Sequence, residues 1–133
     1  MNPAVADAAS TPALTIRQPY AGLVMAGIKD VENRSWQCAY RGPLAIHAGL
    51  QRATFPEDVS VARFTRFNGV RERLDEVYGA MLGWVTLVDI VTGHDSRWAI
   101  EDMYHWVLAE PVLLDDARPM RGRQGLWTYH AAP

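Results

Sequence analysis

Hydrophobic and polar positions along this chain alternate mostly with a period of two, the pattern of strands that turn one face toward a core. Residues 81–92 carry it most strongly: Trp84, Thr86, Val88 and Ile90 alternate with Val85, Leu87 and Val91. Both sets are largely apolar, so this strand is predicted to lie in the middle of its sheet. Shorter strands are predicted at residues 13–16, 31–36, 43–48, 104–114 (interrupted near Pro111) and 126–130. Helical signals are few. Pro19 suits the first position of a helix, Leu23 and Val24 supply an apolar face, and Gly27 suits the position just past its end, giving a short helix over 19–26. Residues 52–78 are polar and broken by Pro56 and Gly69, and read as one or two surface helices, the better one over 70–78. Ser96 is placed to cap a single helical turn at 97–102, and 119–125 reads as a loop. This order lacks the regular strand–helix alternation of a doubly wound fold. It predicts an α+β protein, a small and mostly antiparallel barrel or sheet with two or three flanking helices.

Size and composition narrow the picture. A chain of 133 residues is expected to form a single domain, over 13–133, and to bury enough surface to need no disulfide or metal staple. Residues 1–12, rich in Ala, Ser and Pro, read as a disordered tail without the features of a secretory signal. The lone cysteine, Cys38, fits a reducing cytoplasm, and no apolar run approaches the ~20 residues of a membrane span. The net charge of −2 argues against indiscriminate coating of nucleic acid, which rests on many cations, and is compatible with a local basic cleft. His47, His94, His105 and His130 are scattered without ligand spacing, so no metal is expected. No Walker, Rossmann or G-x-S-x-G pattern occurs, so no cofactor is expected either.

The chemistry concentrates in Gly27-Ile28-Lys29-Asp30-Val31-Glu32-Asn33-Arg34, a G-x-K-x-x-E-x-R pattern. Lys29 is the only lysine; every other cation is an arginine. A lysine can bind phosphate as a point charge or, when desolvated, accept a proton, and a guanidinium forks around phosphate or carboxylate. A two-residue period puts Glu32, Arg34 and Trp36 on one strand face, about 6.6 Å apart. Taken alone, a pattern of this kind is more often a surface ion cluster. Tyr20, Trp36 and Trp127 could stack on an unpaired base, whereas Trp84 and Trp106 are assigned to the core. Arg63, Arg66, Arg71 and Arg73 form either a basic flank or a solvated face balanced by Glu72, Asp75 and Glu76.

Several spaced segments together resemble ASCH domains, a family of the PUA-like superfamily. These are Ile16-Arg17-Gln18-Pro19-Tyr20-Ala21, the Lys29–Glu32–Arg34 pattern followed by Trp36, Arg41-Gly42-Pro43-Leu44-Ala45-Ile46-His47-Ala48, Gly83-Trp84-Val85, Tyr104-His105-Trp106-Val107-Leu108 and Gly122-Arg123-Gln124-Gly125-Leu126-Trp127. The resemblance implies a PUA-like barrel with a cleft beside the motif that binds single-stranded RNA or a modified nucleoside. It points to Gln18, Tyr20, Lys29, Glu32, Arg34, Trp36, His47 and Gln124 as ligand-binding residues. Some bacterial relatives hydrolyse N4-acetylcytidine or RNA, which makes Lys29 and Glu32 the catalytic candidates of an alternative, hydrolytic reading. In the amidohydrolase type a threonine nucleophile stands where this chain has Glu32, so that mechanism does not transfer unchanged. A third reading is a protein-interaction module.

Overall fold

The first strand, β1 (Thr11–Gln18), puts Leu14, Ile16 and Gln18 toward the interior and leaves Arg17 outside. A cis Gln18–Pro19 bond leads into α1 (Tyr20–Met25), a helix of six residues with a nearly continuous buried stretch from Ala21 to Met25. Its end is built by Gly27 at φ +77°, a conformation that costs a residue with a Cβ about 1–2 kcal/mol. In that conformation the Ile28 N–H reaches the Leu23 carbonyl at 3.0 Å and the Gly27 N–H reaches that of Val24 at 3.1 Å. This is the Schellman ending, and it hands the chain to Lys29 within one turn.

Strands β2 (Val31–Arg34), β3 (Gly42–Arg52), β4 (Phe64–Phe67), β5 (Val70–Arg73), β6 (Ala80–Val91), β7 (Tyr104–Pro119) and β8 (Trp127–Tyr129) complete the architecture, a computed structural model that describes residues 10–54, 64–67 and 70–131. Six strands form one sheet in the order β2-β7-β6-β3-β1-β8, and β4 and β5 form a separate hairpin. The central position expected for residues 81–92 is found: β6 pairs antiparallel with both β3 and β7. Its register with β7 shifts at three places, between Met81 and Gly83, between Trp84 and Thr86, and between Leu87 and Asp89. Leu87 pairs with Leu108 and Asp89 with Val107, so two residues of β6 answer one of β7. The bulge returns Ile90 to the core and leaves Val88 half exposed, against the simple two-residue reading. Near Pro111 β7 continues through an irregularity at Glu110 (φ 53°) instead of breaking. The first strand begins at Thr11, because Thr11 and Pro12 pair with Tyr129 and Thr128; residues 1–9 of the expected tail lie outside the described residues.

Two expectations are corrected. The sheet is mostly antiparallel, as expected, and mixed only through the parallel pair of β1 and β3, but no ladder joins its edge strands β2 and β8 among the described residues, so a closed barrel does not form. Those edges are only four and three residues long, too short to supply a continuous closing ladder. The helix expected over 70–78 is instead β5 followed by one 3-10 turn, Leu74–Glu76. Val70-Arg71-Glu72-Arg73 satisfies a two-residue period as well as a helical face, and here it pairs with Phe64–Phe67. The rest of the segment is captured by the core: Leu74 is fully buried, and the Gln18 amide donates to the carbonyls of Leu74 and Val77, both at 2.7 Å. Expected helical residues 55–63 and 68–69 lie outside the described residues. At 97–102, Ser96 Oγ does accept the Trp98 N–H at 3.1 Å, but the turn goes no further. Asn33 of β2 takes its backbone groups, donating to the Trp98 carbonyl and accepting from the Ile100 N–H, each at 2.8 Å.

The main core lies between one face of the sheet and α1, with Leu14, Ile46, Leu82 and Trp106 at its centre. A smaller cluster of Ala13, Ala45, Met81, Trp84 and Tyr129 occupies the other face. Gln18 ties the main core together, since its carbonyl oxygen also accepts the Gly22 N–H of α1 at 2.9 Å. Replacing it with leucine strands three buried backbone groups, each costing roughly 1–3 kcal/mol when left unpaired. Gln18→Leu is therefore expected to lower stability by at least about 3 kcal/mol in urea denaturation.

Candidate functional site

The strand period carries Glu32 and Arg34 to the same face of β2, where Arg34 Nη2 donates to Glu32 Oε2 at 2.8 Å. On the other side of the carboxylate, Lys29 Nζ sits 3.1 Å from Oε1, which also accepts the Asn33 N–H at 3.2 Å. Lys29 Nζ donates in addition to the Val31 carbonyl and lies 5.6 Å from the centre of the Tyr20 ring. Lys29 and Glu32 are buried, so this is not a surface ion cluster. Burial by itself would raise the Glu32 carboxyl. The charges and hydrogen bonds of Lys29 and Arg34 outweigh it and hold the carboxyl below its usual range. The far end of the chain is Arg34, whose Nη2 also donates to the Thr15 carbonyl of β1 at 2.9 Å. A row of Lys29 and Glu32, both buried, and the half-buried Arg34 thus bridges β2 to β1 where no backbone ladder does.

Beyond Arg34 opens a cleft of about 500 Å³, lined by Thr15, Arg17, Arg34, Trp36, Gly49, Leu50, Gln51, Arg123, Gln124 and Gly125. Of the residues the sequence pointed to, it brings together Arg34, Trp36 and Gln124. Lys29 and Glu32 stand behind it, and Lys29 borders instead a small recess of about 150 Å³ with Val24, Glu110 and Pro111. Gln18 is not on the cleft; it holds α1 to the Leu74 turn. Tyr20 packs on the core and under Lys29. His47 is enclosed: Nε2 pairs with the Met120 carbonyl at 2.8 Å, Nδ1 with Thr15 Oγ1 at 3.2 Å, and the ring meets Trp127 edge to face. Burial pushes its pKa down, partly opposed by the bond to Met120, which suits a neutral structural imidazole. Trp127 is likewise spent on Thr15 Oγ1, at 3.1 Å.

The closing loop is pressed against this floor. A Cβ on Gly122 would come within 2.6 Å of Thr15 Oγ1 and 2.7 Å of His47, so only glycine lets the loop lie close enough to bring Arg123 and Gln124 over β1. Arg17 arrives by simpler means. With Gln18 and Ile16 turned inward, alternation turns Thr15 and Arg17 to the other face.

The sequence profile of the ASCH domain matches residues 14–115. The chain belongs to the ASCH domain family. This family is associated with RNA binding. Two curated relatives are proteins called activating signal cointegrator 1: the human protein is 29% identical over 125 residues and the mouse protein 30% identical over 125 residues. Each match covers 86% of this chain but only 21% of the relative, so the chain spans about a fifth of the length of these proteins.

Within the ASCH domain the motif residues fall into two groups, an interior pair and a cleft residue. The cleft residues that sequence reasoning passed over are Thr15, Arg17, Gly49, Leu50, Gln51, Arg123 and Gly125. Arg17 and Arg123 were within reach, since each adjoins a glutamine that the family resemblance singled out. The alternation on β1 would have shown that Gln18 and Arg17 cannot share a face. The basic flank considered at residues 63–73 contributes nothing to the cleft among the described residues: Arg73 is committed to Asp75 at 3.0 Å, and Arg63 lies outside them.

Because Glu32 lies between two cations, the buried Lys29 and the half-buried Arg34, removing its charge leaves the Lys29 ammonium buried without a counter-charge. Glu32→Gln is expected to cost about 3–5 kcal/mol of stability. The pH dependence has a definite sign. The folded-state pKa of Glu32 is depressed, so its contribution is present above the ordinary value and is lost as pH falls from about 4.5 through the folded value. Urea denaturation of the parent should show that loss in acid, and Glu32→Gln should lack this component of the slope.

Proposed function

We propose that this ASCH domain binds single-stranded RNA, or a modified nucleoside, in the cleft between β1, β3 and the closing loop. The observation that carries the reading is the lining itself: Arg17, Arg34 and Arg123 line the same cleft as Trp36, with no carboxylate among the lining residues. Guanidinium groups meet phosphate oxygens, an indole face stacks on an unpaired base, and the amides of Gln51 and Gln124 can pair with base edges. Arg17 and Arg123 are exposed and make no ion pair among the described residues, so both are available to a ligand. The association of the family with RNA points the same way.

Lys29 and Glu32 serve this function from behind. Their polar atoms are occupied by one another, by the Val31 carbonyl, by the Asn33 N–H and by Arg34. A general base must have a lone pair directed at substrate, and a water-activating carboxylate must face the water. Neither residue lines the cleft, so the geometry favours binding over hydrolysis by this pair.

Fluorescence anisotropy with short single-stranded RNA tests the reading. Arg17→Ala and Arg123→Ala should each weaken binding about 5- to 50-fold, as expected for the loss of one charge-assisted contact. Each should also lower the steepness of the salt dependence by about 0.7, the value per phosphate neutralised on a single strand. Unchanged affinity in the double variant would remove the cleft from RNA binding, whereas absence of both RNA binding and turnover in the parent would leave the protein-interaction reading. Chromatography of N4-acetylcytidine and RNA after incubation should show no turnover. Turnover by the parent that disappears in Lys29→Arg would restore the hydrolase.

A further inference from the structure

The charge arrangement of the cleft says more about its ligand than that it is anionic. Among the described residues Glu32 is the only carboxylate paired with Lys29 and Arg34, so the row keeps one uncompensated positive charge, and its outermost member is Arg34. Arg34 spends Nη2 on Glu32 and the Thr15 carbonyl, which fixes the guanidinium in place, while its Nε and Nη1 donors have no acceptor among the described residues. Arg17 and Arg123 add two more guanidiniums on the same cleft. This concentration of positive charge occurs on a chain whose net charge is −2.

An internal phosphodiester brings one negative charge. A terminal phosphomonoester brings about −1.5 to −2 at pH 7 and three acceptor oxygens, which matches several guanidiniums on one cleft better. The rest of the lining suits the nucleoside attached to it. Trp36 is held edge to face against Trp106, with ring centres 4.9 Å apart, so a base stacking on it meets a fixed wall. Leu50, 82% exposed, stands at the same cleft as an apolar contact for a base or ribose. A space of about 500 Å³ lies within the size range of small-ligand sites.

Resting on the RNA-binding reading above, we propose that the cleft is an end-reading site: it takes a terminal nucleotide through its phosphomonoester, with the three arginines on the phosphate and Trp36 on the base. The phosphate belongs to the end of a strand or to a free nucleoside monophosphate, and the experiment separates these sources.

The same short RNA is prepared with a 5′-phosphate, with a 3′-phosphate and with hydroxyls at both ends, and the affinity of the whole chain for each is measured by anisotropy. One phosphorylated form is expected to bind at least about tenfold more tightly than the hydroxyl form, and which one it is names the end. Adenosine 5′-monophosphate should displace it at lower concentration than either adenosine or inorganic phosphate. If the monophosphate alone binds as tightly as the phosphorylated strand, the free nucleotide is the ligand. Arg17→Gln and Arg123→Gln should each reduce the preference for the phosphorylated end while keeping the parent's urea midpoint, since both side chains are exposed. Equal affinity for the three RNAs would overturn end reading and leave RNA binding intact. No binding to any RNA or to the monophosphate would overturn both. Inorganic phosphate competing as well as the monophosphate would overturn the nucleotide part of the proposal.

Discussion

A single buried carboxylate, Glu32, between two cations organises one side of this molecule. Burying a charge is unfavourable unless its partners are close and its lone pairs are satisfied. Both conditions are met here, by Lys29 at 3.1 Å, Arg34 at 2.8 Å and the Asn33 N–H. The row forms where the backbone offers no closure: β2 and β8 are the free edges of the sheet, and Arg34 reaches from β2 to the Thr15 carbonyl of β1. A side-chain contact does part of what a ladder would do in a closed barrel. It also fixes a guanidinium at the edge of the cleft.

Interior and cleft are therefore parts of one device. Arg34 is the member that belongs to both, and its position is set by a pair of residues that do not line the cleft. The glycines serve the same end by letting backbone segments approach. Gly27 turns the end of α1 so that Lys29 enters the interior, and Gly122 lets the closing loop lie on Thr15 and His47. His47 and Trp127 then act as the floor against which that loop rests. What a ligand would meet is a surface of arginine, glutamine and tryptophan whose supports are all below it. Preorganisation of this kind reduces the ordering cost of binding.

The sequence by itself determined the strand pattern, the central place of residues 81–92, the short helix with its glycine ending, and the family, through several spaced motifs in the right order. It also showed Glu32 and Arg34 on one face, because a strand's two-residue period is a local property. Tertiary structure decided the rest. Whether Val70-Arg71-Glu72-Arg73 forms a strand or a helix face depends on what pairs with it, and the available partner was Phe64–Phe67. The bulge at Leu87–Asp89 shifts which side of β6 is buried, and only the register with β7 reveals it. The division of the motif into a buried pair and a cleft arginine was likewise invisible in the chain. Lys, Glu and Arg at these spacings are compatible with open display or with burial, and the choice depends on whether mutual neutralisation offsets desolvation once β1, β2 and α1 have packed together.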